Sequence, residues 1–283
     1  MVHNRIGEIT MDNLKIDLGC GACKKEGTIG IDIEPHSCVD HVLDIQKEAL
    51  PFADRSVKYV HSAHFLEHID NPMVVFQELS RVCQDGAELE FWTPYGWSNP
   101  AFILSHKIFY NEDHYLHLCV WYAELWKDFL KATWLLKEFT YIIEPQILAE
   151  LYSNKISLDF ALKYYKGIVK EFGVSIEIRH GYDGPICQPK RTFAVDRYAQ
   201  RYSVKSLQSD EYLNPDYLKK AIEWFSSGEE QPERLELLQE QLRKTQAELR
   251  QAKDTIAAME TSKFWKLRIA WFKIKKYLGI KTV

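Results

Sequence analysis

The chain has 283 residues, 46% of them hydrophobic and 27% charged, with a formal charge of −4. This is the composition of an ordinary globular protein of one large or two small domains, and it offers no electrostatic case for binding nucleic acid. Residues 1–13 carry no apolar core of a signal peptide, and no uninterrupted apolar run approaches the roughly 18 residues of a membrane span, so a cytoplasmic protein is expected.

The pattern opens with two apolar runs. Leu14, Ile16 and Leu18 form the first, and Thr28, Ile29, Ile31 and Ile33 form a second that is rich in β-branched residues; both read as buried parallel strands. Between them, Gly19-Cys20-Gly21 lets the backbone turn sharply and lets a ligand approach the main chain. Asp32 and Glu34 stand at the carboxyl end of the second strand, the edge where doubly wound sheets bind ligands and where an acid accepts hydrogen bonds from a ribose. A nucleoside-binding edge is therefore predicted. The cysteines at 20, 23, 38, 83, 119 and 187 show no disulfide framework. Cys20-x-x-Cys23 with His36 and Cys38 offers a zinc set as the alternative, but it lacks a second CxxC pair, and no metal is expected.

Asp40 to Asp44 reads as a short third strand, and Val57 to His61 as a fourth after a turn at Pro51 to Ser56. A helix is predicted from about Asn71 to Cys83, with Pro72 in its first turn and Val74, Val75, Leu79 and Val82 facing inward. Asp85-Gly86 is a turn, and Ala87 to Trp92 alternates as a fifth strand ending at Thr93-Pro94.

Over residues 14–96 these features resemble, in order, the class I S-adenosylmethionine-dependent methyltransferases, the type 11 group in particular. The resemblance rests on DLGCG at Asp17 to Gly21, GIDI at Gly30 to Ile33, LPFADRSVKYV at Leu50 to Val60, SAHFLEHI at Ser62 to Ile69 and ELSRVCQDGAELEFWTP at Glu78 to Pro94. It implies an α/β fold, a Rossmann-like doubly wound and mostly parallel seven-stranded sheet, with S-adenosyl-L-methionine as cofactor. By the same resemblance, Asp17, Gly19, Cys20 and Gly21 form the cofactor turn, Asp32 meets the ribose with Ile33 beside it in the cofactor-binding set, Asp44 meets the adenine amino group and Ile45 its ring, and Ser62 and His64 line the cleft. The chain departs from the pattern at Cys23, where a third glycine is usual, and in having only six residues between Gly21 and Thr28. That leaves room for about one helical turn, so Lys24 or Lys25 is expected to supply the counter-charge for the cofactor's carboxylate. A nicotinamide-dependent oxidoreductase is the competing enzyme reading, and Lys24 at the third glycine of GxGxxG counts against it.

Residues 97–172 carry aromatic and apolar residues at helical spacing, among them Trp121, Leu125, Phe129, Trp134, Leu135, Phe139 and Ile147. They read as a helical insert that contributes a lid or acceptor pocket. Val174 to Ile178 and Thr192 to Asp196 then read as the last two strands, which the resemblance implies pair antiparallel, with the methyltransferase domain spanning 1–206. A sulfonium donor needs in-line positioning and at times a base; His64 and His114 are the candidates, with His106, His117, Tyr95 and Tyr110 nearby and Glu67-His68 read as local helix chemistry. Residues 207–232 form a connector. From 233 to 260, Leu235, Leu238, Leu242, Thr245, Leu249, Ala252, Ile256 and Met259 follow a heptad seam, which predicts a coiled coil and a homo-oligomer. Residues 261–283 hold seven basic residues, no acidic one and five aromatics, a basic amphipathic tail suited to peripheral contact at the inner face of a membrane. The function predicted is methyl transfer to a small-molecule or glycan-related acceptor. A non-catalytic scaffold that recruits a partner through its coiled coil is the alternative.

Overall fold

The computed structural model describes residues 14–199, 201–202, 215–226, 243–247, 249–255 and 271. Its centre is one eight-stranded sheet of order β3-β2-β1-β4-β5-β7-β6-β8. The strands are β1 (Leu14–Leu18), β2 (Ile29–Asp32), β3 (His41–Val42), β4 (Val57–Ala63), β5 (Cys83–Pro94), β6 (Thr133–Ile142), β7 (Glu171–Arg179) and β8 (Lys190–Ala194). The first five pair in parallel, and β7 runs antiparallel between β5 and β6. This is a mixed Rossmann-like α/β sheet.

The seven-strand expectation is exceeded by β8, which adds to β6 in parallel. Val174–Ile178 lies in β7 and Thr192–Ala194 in β8, but these two strands do not pair with each other. The strand that separates them is β6, which lies inside the stretch expected to be helical. That stretch is instead α2 (Glu112–Leu116), a π-helical turn (His117–Trp121), α3 (Ala123–Leu130), then β6, α4 (Pro145–Ser153) and α5 (Leu158–Tyr164).

Helix α1 (Pro72–Val82) begins where its sequence dictates. Asn71 caps it by accepting from the Met73 N–H at 3.2 Å, and Pro72 takes the first turn, where its missing N–H costs nothing. Val75, Phe76, Leu79 and Val82 are buried, whereas Val74 faces solvent. Asp85-Gly86 does not end a strand. It lies inside β5, where the register slips opposite Val57–Tyr59 and Gly86 takes φ +79°, a conformation that favours glycine.

Within this Rossmann-like fold the described helices gather on one face of the sheet. None of the crossovers between β1, β2, β3 and β4 carries an α-helix. Helices α1 to α5 and α6 (Pro215–Ser226) all contribute to a single apolar cluster, through Val75, Tyr115, Leu130, Leu148, Leu162 and Leu218 among others. The opposite face holds a small cluster of Trp92, Ile142 and Ala194, and around it a polar surface that includes Tyr59, Glu90, Glu138, Thr140, Thr192 and Glu177. The alternating strands β4 and β7 follow from this arrangement, since each has one face in the core and one toward water.

Helix α6, within the expected connector, packs back on the sheet: Leu218, Ala221 and Phe225 are buried, and the Phe225 ring meets that of Phe193 at 6.3 Å. Residues 1–228 form one unit and 229–283 another. In the second unit, residues 243–247 and 249–255 are helical and exposed. The rest of the predicted coiled-coil seam, and all of the basic tail except Trp271, lies outside the described residues.

Gly173 of β7 sits against the indole of Trp92, where an added Cβ would come within 2.6 Å of the ring. Trp92 is buried, and its Nε1–H donates to Glu90 Oε1 at 2.8 Å, so the ring is not free to retreat. Gly173→Ala should destabilise the protein by about 1–3 kcal/mol, read as a lower denaturation midpoint in urea.

Candidate active site

The turn after β1 places two glycines with left-handed backbone at the carboxyl edge of the sheet. Gly19 and Gly21 adopt φ +64° and +55°. An added Cβ at Gly19 would fall 2.3 Å from the Phe65 ring, so Phe65 seats on the bare backbone there. At Gly21 an added Cβ would meet nothing within 4 Å, which leaves that stretch of main chain open to a ligand. Asp32, at the end of β2, accepts from the Gly21 N–H at 2.7 Å and from the Glu34 N–H at 2.9 Å. Its carboxylate is thus fixed by the loop it faces, with lone pairs left over. Ile33, directly beyond it, is 59% exposed. An oriented acid, an exposed apolar side chain and an open glycine backbone together fit an adenosine.

Other expected cofactor residues have different surroundings. Asp17 is buried, its Oδ2 accepting from the Lys25 N–H at 2.7 Å and its Oδ1 lying 2.8 Å from His61 Nδ1, so it shapes the turn from behind. Ile45 packs in the core instead of lying open to a ring. Asp44 accepts from the Gln46 N–H at 3.0 Å and pairs with Lys47 at 2.7 Å. Ser62 is buried, with a hydroxyl that has no partner. Neither lysine of the short crossover is free for a cofactor carboxylate: Lys24 pairs with Asp40, and Lys25 Nζ reaches Tyr59 Oη and Glu90 Oε2, each at 2.6 Å. Cys20 is a buried thiol whose pKa is pushed up to about 12, by burial and by the nearby Asp17 charge. It does not join Cys23, His36 and Cys38 in a cluster of metal-ligand spacing.

His64 follows β4 with φ +55°. Its Nδ1 lies 3.3 Å from Glu67 Oε1 and its Nε2 lies 3.1 Å from Glu171 Oε1. The hydrogen bonds to Glu171 and Glu67 outweigh burial and raise the imidazole pKa to about 9. At neutral pH it is a cation held between two carboxylates, which argues against the expected role as a general base. His114 closes the capping box of α2, with Nδ1 2.7 Å from Asn111 Oδ1, and burial lowers its pKa. It lines an apolar cavity of about 240 Å³ with Phe76, Tyr110 and Trp126. His117 accepts from Trp126 Nε1 at 3.1 Å.

Sequence reasoning missed a buried acid. Glu112 accepts from Tyr95 Oη at 2.9 Å, next to the carboxyl end of β5, and burial raises its pKa. The signal available was Glu112 in NEDHYLH directly before a cluster of apolar positions, where an acid at a helix start is more often read as a dipole partner. Just beyond β5, the exposed rings of Trp97, Phe102 and Phe109 line up, with centroids 6.5 and 5.1 Å apart, and Lys166 Nζ stands 4.4 Å over Phe102.

Residues 16–91 match the family model described as Methyltransferase domain. The matched segment is the stretch whose motifs resemble the class I S-adenosylmethionine-dependent methyltransferases, and it spans about a quarter of the chain. No curated protein matches the chain. Among solved structures, it is similar to an S-adenosylmethionine-dependent methyltransferase from Archaeoglobus fulgidus, at 15% identity and TM-score 0.43, with 58% of this chain and 86% of that one covered. It is also similar to geranyl diphosphate C-methyltransferase from Streptomyces coelicolor, at 12% identity and TM-score 0.38, covering 59% and 71%. A third likeness is to a Haloferax volcanii complex of the Trm112 methyltransferase activator with a methyltransferase, at 15% identity and TM-score 0.39, covering 62% and 85%. Likenesses at these scores carry nothing about acceptor or partner.

The link between the cofactor turn and the polar sheet face is acid-sensitive. Burial would push the Glu90 carboxyl up, but hydrogen bonds from Lys25, Tyr59 and Trp92 outweigh it and bring the pKa down from 4.5 to about 2. A depressed carboxylate pKa contributes stability that is present above the unfolded value of 4.5 and lost as pH falls through about 2. The melting temperature of the wild type should therefore drop more steeply than that of Glu90→Gln between pH 4.5 and 2, the two curves being compared by circular dichroism.

Proposed function

We propose that the chain transfers the methyl group of S-adenosylmethionine to a small-molecule or saccharide acceptor that docks on the aromatic shelf beyond β5. The observation that carries this reading is the pairing, at one sheet edge, of the Asp32–Gly21 turn with the exposed row Trp97, Phe102 and Phe109. Flat aromatic faces offer apolar contact to a sugar ring or an acyl chain at little entropic cost. Asp32 would hold the ribose hydroxyls and Ile33 the adenine face, with the Gly19–Gly21 backbone passing close to the methionine end. Asp44 and Ser62 complete this proposed set, Ser62 by offering a buried hydroxyl that has no protein partner.

Methyl transfer breaks the sulfonium carbon–sulfur bond as the acceptor atom forms its bond to carbon, and the sulfur leaves as a neutral thioether. The donor is already activated, so this chain's residues chiefly align the acceptor and exclude water. His64, as a cation, fixes the carboxylates of Glu67 and Glu171 and takes no proton from the acceptor in this reading.

Thermal unfolding with S-adenosylhomocysteine tests the cofactor half. At about a hundredfold over its dissociation constant the ligand should stabilise by roughly 2.7 kcal/mol, the shift should vanish in Asp32→Asn, and NADH should give none. A shift with NADH, or with neither ligand, would sink the reading, the latter in favour of the scaffold. For the acceptor half, labelled methyl transfer to a panel of saccharides should show a KM raised about tenfold or more in Trp97→Ala with kcat changed little, the pattern of lost uniform binding.

A further inference from the structure

Glu67, His68 and His106 meet beside the turn that follows β4. Each offers one ligand atom, and these atoms all lie within 4.8 Å of one another, the one such group of His, Cys, Asp and Glu among the described residues. Glu67 is 1% exposed, and its carboxylate has no partner beyond the 3.3 Å approach of His64 Nδ1 to Oε1. The His64 imidazole that approaches Oε1 also lies 3.1 Å from Glu171 Oε1, so it is shared between two carboxylates. A carboxylate left this way in the interior is costly unless something compensates it.

Each of the two imidazoles is anchored through one ring nitrogen. His68 Nδ1 lies 3.2 Å from the Ser105 carbonyl, and His106 Nδ1 lies 3.0 Å from the Ala101 carbonyl. A carbonyl only accepts, so each Nδ1 is the donor of its pair, and Nε2 is the ring nitrogen left for a ligand. Metal-bound histidines have this arrangement, with the far nitrogen donating to a carbonyl that fixes tautomer and ring plane. The rings stand edge to face with centroids 4.7 Å apart. The Lys107 and Ile108 N–H groups donate to the Glu67 carbonyl at 2.7 and 3.3 Å, so main-chain bonds hold the two ligand-bearing segments together without an ion.

We infer that Glu67, His68 and His106 bind a first-row divalent cation, with zinc the best fit, through two imidazoles and one carboxylate and with a fourth position open to water or a ligand oxygen. Magnesium and calcium prefer all-oxygen sets and are disfavoured by the two nitrogens. Three protein ligands with an open position is the pattern of zinc sites that bind something further. The site needs none of the residues assigned to the cofactor, so it stands whether or not the acceptor reading holds.

The test uses the full chain, stripped with chelator and titrated with Zn²⁺ alone against a competing indicator, with Co²⁺ as a spectroscopic stand-in. One equivalent of Zn²⁺ should bind, and Co²⁺ should give the intense visible absorption of a four-coordinate site. Both should weaken more than about a hundredfold in His106→Ala and in Glu67→Gln, because loss of a ligand exceeds the tenfold to hundredfold effect of losing an outer partner. Circular dichroism confirms that each variant folds, and Glu67→Gln, nearly isosteric, keeps the test open if His106→Ala does not fold. A Cys20→Ser, Cys23→Ser, Cys38→Ser variant should bind as the wild type does. Binding that survives both site variants, that is lost in the cysteine variant, or that stays below one-tenth equivalent in the wild type would overturn the inference.

Discussion

Phe65 lies in the space that any side chain at residue 19 would occupy, and much of the carboxyl edge follows from that contact. The ring can sit there only because the chain leaves β1 through a glycine with positive φ. Its seat fixes where β4 ends and how the chain turns into Leu66–His68. That turn in turn sets His64 toward Glu171 and Glu67 toward the histidines at 68 and 106. The cofactor turn and the polar cluster beside it are thus parts of one packing decision, made where two strand ends meet.

The one-sided sheet explains how the short crossover survives. A full helix after β1 would normally cover the sheet face there. Here the crossover is held by its own bonds instead: Lys25 to Tyr59 and Glu90, Lys24 to Asp40, and the Gly30 N–H to Asp40 at 2.7 Å. Polar side chains on the open face make this possible, because a face that already suits water needs no apolar cover. What is given up is the helix dipole that such a crossover would aim at the methionine end of the cofactor.

Short-range chemistry was legible in the sequence. The Gly19–Gly21 turn, Asp32 at the end of β2, and the Asn71-Pro72 start of α1 are local patterns with local causes, and each sits where its residue types require. Strand β6 was not legible, because Trp134, Leu135, Leu136, Phe139, Tyr141 and Ile142 are buried on both faces and the run therefore shows no alternation. The protonation state of His64 was hidden for a different reason. Its partner Glu171 belongs to a strand that approaches only through tertiary structure, and the same holds for His106 beside Glu67. Residue type alone named the histidines but could not say which cap a helix, which lie between two carboxylates and which stand beside a buried acid.

The placement of β7 has a consequence for synthesis. Strand β5 ends at Pro94, yet its antiparallel neighbour begins at Glu171, after α2 to α5 and β6 have been made. At about 5–20 residues per second on the ribosome, the nascent chain presents β5, with Leu89 and Phe91 along it, as an uncapped edge for several seconds. Non-local pairing of this kind is slow to form and prone to capture by other strands in the meantime. The fifth strand is therefore the point at which this protein most depends on being shielded while it is still unfinished.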